Sequence, residues 1–142
     1  MFARLAFALL LCAPLAAHAR PPAPGQPFVK RVKNVVEQHQ WGKLLRMTDT
    51  ANRRIQLGQF GIGKPQYLAE ILGLHNVGNS IQTGEKISYS DLNRIRKLKV
   101  DKSTIRTGSV NGKAILQDGK KLDVNFLITK PKKRYVLTGG VG

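Results

Sequence analysis

Cysteine is almost missing from this chain: Cys12 is the only one among 142 residues. It lies in a segment that reads as a removable leader, so the remainder has no thiol. That excludes a disulfide framework, a thiolate metal site and cysteine catalysis. Histidine is scarce too. Beyond the leader only His39 and His75 remain, and a zinc site would need both, with carboxylates drawn from eight dispersed acids. No metal and no cofactor is therefore expected. Aromatic residues make up 6% of the chain, and Tyr135 alone stands beside a basic cluster, which argues against nucleic acid bound by base stacking. The longest apolar stretch, Leu5 to Leu11, is followed by Pro14. It is shorter than the roughly 18 to 20 residues of a membrane span. Gly58, Gly61 and Gly63 lack the spacing and the Lys-Ser/Thr ending of a phosphate loop. None of Ser80, Ser88, Ser90, Ser103 and Ser109 sits in a nucleophile elbow.

What is present begins with a leader pattern. Arg4 gives a positive start, Leu5 to Leu11 an apolar middle, and Ala17-His18-Ala19 a small-x-small cleavage site. Cleavage is expected before Arg20, which would send the protein to the periplasm or the external medium. Residues 20–27 hold Pro21, Pro22, Pro24, Gly25 and Pro27 and read as a short extended linker. Residues 28–142 are then long enough for one domain with one core.

Positive charge dominates the composition. There are 24 Lys and Arg against 8 Asp and Glu, a formal net charge of +16, and the leader accounts only for Arg4. Such an excess is either spread over a solvated surface or matched by an anionic partner, such as phospholipid headgroups or an acidic envelope polymer.

Phe28, Val32, Val35, Val36 and His39 recur at helical spacing, with Lys30, Arg31, Lys33 and Glu37 off the stripe. Trp41, Leu44 and Leu45 continue it after a break expected at Gly42. Asp49 is placed to cap a second short helix. Pro65 opens a third helix, whose buried face is Tyr67, Leu68, Ile71 and Leu72 and whose end is Gly73. Ser88 and Asp91 make a capping box for a helix through Leu92 and Ile95, with Arg94, Arg96 and Lys97 at its end. The chain then turns to strand patterning. Asn111-Gly112 and Asp118-Gly119 are two-residue hairpin signals. Leu122, Val124, Phe126 and Ile128 alternate with polar residues. Lys130 to Lys133 turn the chain, and Tyr135 to Thr138 return it.

Helices first and an antiparallel meander second predict an α+β fold with N-terminal helices packed on a curved sheet. From Phe28 to Leu137-Thr138-Gly139-Gly140 this order resembles the cone-shaped nuclear-transport-factor-2-like superfamily. The stretch Gly61-Ile62-Gly63-Lys64-Pro65-Gln66-Tyr67 to Leu72-Gly73-Leu74-His75 resembles that of small exported bacterial proteins of this kind. The resemblance implies a pocket between helices and sheet, open to a small apolar ligand. It also implies an alternative, an isomerase- or dehydratase-like enzyme using an acid with a tyrosine or histidine, for which Asp49, Tyr67 and His39 are the candidates.

Independently of that resemblance, the basic clusters point to a non-enzymatic binding module. Lys120-Lys121 and Lys132-Lys133-Arg134 fall at hairpin turns, where they are expected to converge on one sheet edge and attract an anion. Arg53-Arg54 and Arg94 with Arg96-Lys97 are expected on helices.

Overall fold

A computed structural model of the chain describes residues 21–74 and 87–138. The leader pattern, Cys12, the expected cleavage site, Ser80 and His75 lie outside the described residues. Helix α1 spans Gln26–Glu37 and buries Phe28, Val29, Val32, Val35 and Val36. It starts two residues before the expected domain boundary, because Pro27 fits the first turn of a helix, where no N–H is needed. The proline-rich stretch before it is tied down. Ala23 is buried in the core, and Arg106 Nη2 donates to Pro21 O at 2.8 Å.

The break after α1 comes at residues 38–40 and not at Gly42, which lies inside α2, Trp41–Arg46. His39 makes it. Its backbone is left-handed, with φ 57°, a region that histidine enters more readily than most residues. There its Nε2 pairs with Ile95 O at 2.6 Å, and its ring stacks on Trp41 with centroids 5.7 Å apart. It is thus a hydrogen-bonded, half-buried residue beyond the helix and not a member of the helical stripe.

Asp49 caps α3, Thr50–Arg54, by accepting the N–H of Asn52 at 2.9 Å. The helix runs on as a π-helical turn, Ile55–Gln59. Helix α4, Lys64–Ile71, opens with Pro65 in its first turn and ends before Gly73, whose φ is +69°. Gly73 is obligatory here: a Cβ would run into the backbone of Asn125. Helix α5, Tyr89–Leu92, has the Ser88–Asp91 capping box but only one turn.

Ile95 begins strand β1, Ile95–Val100, so Arg96 and Lys97 lie on a strand and not at a helix end. The expected helix rests on Leu92 and Ile95, both buried and three residues apart, but that interval spans a junction: Leu92 ends α5 and Ile95 opens β1. A bulge between Ile95 and Lys97 then resets the alternation, so that Leu98 is buried three residues after Ile95. Strand β1 leads through a three-ten turn, Lys102–Thr107, to β2, Ser109–Leu116. Asn111-Gly112 therefore makes no hairpin; it lies within β2. Gly112 serves close approach instead, since a Cβ there would collide with Lys99 O of β1. Asp118-Gly119 does turn the chain into β3, Lys121–Thr129, with φ +87° at Gly119. Strand β4 is Val136–Thr138.

The four strands form one antiparallel sheet in the order β1-β2-β3-β4. Leu98, Val110, Ala114, Leu116, Leu122, Val124, Phe126, Ile128 and Leu137 face the helices and close a single core. The opposite face carries Lys97, Lys99, Lys113, Lys121 and Asp123 in cross-strand rows. The β4 edge is sealed by residues 47–49. Leu137 N donates to Met47 O, and Asp49 N to Leu137 O, both at 2.8 Å. The architecture is α+β, helices on one face of an open sheet.

Candidate functional site

The two hairpin clusters do not converge. Lys120-Lys121 enters β3 and Lys132-Lys133-Arg134 leaves it, so the whole of β3 lies between them. At about 3.3 Å per residue, that separates the groups by roughly 25 to 30 Å. The remaining clusters also divide. Arg53 Nη1 donates to Leu45 O at 2.7 Å and to Thr48 Oγ1 at 3.1 Å, a structural role. Arg94 pairs with Asp118 at 3.6 Å.

Part of one cluster belongs to a real concavity. An open cleft of about 510 Å³ lies between α1, the α2–α3 junction and the β3–β4 hairpin. Arg31 enters from α1, Arg46 from the end of α2, and Lys132 and Arg134 from the hairpin. Among the described residues one carboxylate faces these four cations, Asp49, whose Oδ2 accepts the N–H of Asn52. Among the described residues Arg46, Lys132 and Arg134 have no ion-pair partner. Lys133 does not line the cleft; it holds the hairpin's left-handed position, φ 63°.

Aromatic rings brace this wall. Phe28 and Tyr135 stack with centroids 5.9 Å apart and planes 25° from parallel. Arg31 lies 5.6 Å over the Phe28 ring and Lys130 5.3 Å over Tyr135. Each contact of this type is worth about 0.5–1 kcal/mol where solvent reaches it. The stack couples the hairpin to α1 beside Arg31. Guanidinium groups present a planar fork of donors suited to phosphate or carboxylate oxygens, so three arginines and a lysine around one cleft suit an anion.

Asp49 and Tyr67 come near one another, but through a structural network. Tyr67 is 1% exposed, and its hydroxyl donates to Asn52 Oδ1 at 3.1 Å, while Asp49 holds the N–H of the same asparagine. Burial holds the Tyr67 phenol above its usual pKa; its hydrogen bond with Thr48 and the charge of Arg53 oppose that shift. His39 stands apart, at Ile95 and Trp41. Among the described residues, no three His, Cys, Asp or Glu side chains group as metal ligands would.

Arg31 and Arg46 went unread in the sequence. Arg31 looks like any solvated residue on the polar face of α1. Its one sign is its place three residues after Phe28, on the same helical flank. Arg46 carries no sign at all, since the turn at residues 47–49 alone brings it to the hairpin. The chain matches no family model, no curated protein and no solved structure.

Proposed function

We propose that this chain is a non-enzymatic binding module of the cell envelope, acting after export, and that it recognises an anionic envelope component in the cleft between α1 and the β3–β4 hairpin. One observation carries the reading: Arg31, Arg46, Lys132 and Arg134, from three separate parts of the chain, meet in one concavity that holds, among the described residues, a single carboxylate, Asp49, which caps α3. Like charges repel, so a fold that gathers four of them in one cleft gains from an anion that joins them. Low-dielectric walls focus their field on the space between. Export is supported by the leader pattern of Met1 to Ala19 and by a remainder free of cysteine. A cone-like sheet in the manner of the nuclear-transport-factor-2-like superfamily belongs to the same reading. It is supported by the helices-then-meander order and by the bulge in β1, which strengthens local twist.

The test is a pair of variants with equal charge. One carries Gln at Arg31, Arg46, Lys132 and Arg134; the other carries Gln at the exposed Lys97, Lys99, Lys120 and Lys121. Binding of a short-chain polyphosphate is measured for both beside the wild type. The cleft variant is expected to lose on the order of tenfold in affinity, about 1.4 kcal/mol, and the control far less. Equal losses would show diffuse charge and end the reading.

A further inference from the structure

The cleft does not end at α3. Ala51 lines it, and Arg54 and Ile55 follow three and four residues later on the same helical flank. The π-helical turn extends that flank. In an α-helix, residue i+5 stands about 140° round the axis from residue i. In the π turn, Phe60 N instead bonds Ile55 O at 3.2 Å, and the wider turn brings Phe60 back to within roughly 50° of Ile55. Leu57 and Ile62 anchor the segment by packing against the core. Phe60 and Ile55 are left in solvent, 67% and 41% exposed. The exposed Arg54 and Lys64 flank them. The cationic cleft, the exposed Arg54 and the two outward apolar side chains thus follow one another along this stretch of the chain.

Resting on the anion reading above, we infer that this surface seats the protein on an anionic phospholipid bilayer: headgroup phosphates fill the Arg31, Arg46, Lys132 and Arg134 cleft while Phe60 and Ile55 enter the interface. A stable protein interface buries about 800 Å² on each side, and the apolar part of this strip is only two side chains, Phe60 and Ile55. A bilayer asks for less, a shallow apolar insertion reinforced by basic residues near the headgroups. The chemistry of the strip matches that demand at both ends.

The experiment uses the full chain with vesicles of phosphatidylcholine alone or mixed with phosphatidylglycerol, and polyphosphate as the soluble anion. Phe60→Trp reports position: the side chain should be quenched by brominated acyl chains in the phosphatidylglycerol vesicles only. Trp41 is buried, so the wild type supplies the background. Phe60→Ser should weaken binding to those vesicles about tenfold to a hundredfold, the range for losing one buried aromatic side chain. Its affinity for polyphosphate and its melting temperature should stay at wild-type values. Binding without quenching of Trp at position 60, or equal weakening toward vesicles and polyphosphate by Phe60→Ser, overturns the bilayer inference and leaves the cleft standing. A wild type that ignores polyphosphate overturns the anion reading, and this inference with it.

Discussion

Glu37 Oε2 accepts the backbone N–H of Leu98 at 2.9 Å, so the last turn of α1 caps with a side chain the edge of β1 that no described strand pairs. Lys33 Nζ holds the same carboxylate from one helical turn back, at 3.1 Å. Edge strands offer unpaired donors to other chains, and this one is closed at a fully buried residue. Glu37→Ala should therefore cost about 1–3 kcal/mol, the penalty of an unsatisfied buried donor. Glu37→Gln, which keeps an acceptor, should cost less. Urea unfolding of the two variants checks this; equal stability would mean that water replaces the carboxylate freely.

Alkaline stability should depend on Tyr67. Its phenol sits above the usual value of about 10 because it is buried. The folded chain therefore holds a proton that the unfolded chain releases. The stabilisation is fully present below about pH 10 and is lost as pH rises through the folded value, by up to about 1.4 kcal/mol per pH unit. Tyr67→Phe should lower stability at neutral pH by about 0.5–1.5 kcal/mol, through the lost bond to Asn52. It should also flatten the decline above pH 10. Denaturant melts at neutral and alkaline pH, read beside phenolate absorbance, test both parts; an identical alkaline slope in the two proteins would count against the burial argument.

Two left-handed glycines separate strain from collision. At Gly119 a Cβ meets open space, so Gly119→Ala should cost only the backbone penalty, about 1–2 kcal/mol. Gly73→Ala adds a clash with the Asn125 backbone, at the point where Asn125 N donates to Leu72 O at 3.1 Å. Its loss should be clearly larger. Thermal melts of both variants decide it, and similar losses would show that the α4 end can move away from β3.

The elements that could be read from sequence are those whose own residues decide them. Asp49 caps its helix, Ser88 and Asp91 close their box, and Leu122 to Ile128 alternate, all by local chemistry. The misreadings arise where distant contacts decide. Leu92 and Ile95 imitate one helix because both are buried at a helical interval, although α5 ends at Leu92 and pairing with β2 begins at Ile95. Asn111-Gly112 imitates a turn because close approach of Lys99 demands a glycine in mid-strand. The candidate site follows the same rule. Lys132 and Arg134 were visible as a charge run, but which other cations join them depends on long-range packing of the Tyr135 hairpin against Phe28.

The position of a bound anion on the surface tests the account most directly. Polyphosphate titrated into isotopically labelled protein, followed by amide and guanidinium NMR shifts, reports where it sits. Saturable shifts are expected at Arg31, Arg46, Thr48 to Ala51 and the Pro131 to Val136 hairpin, fading with salt as exposed charges are screened. Shifts centred on Lys97, Lys99, Lys113 and Lys121 of the outer sheet face, or spread evenly over every cation, would contradict it.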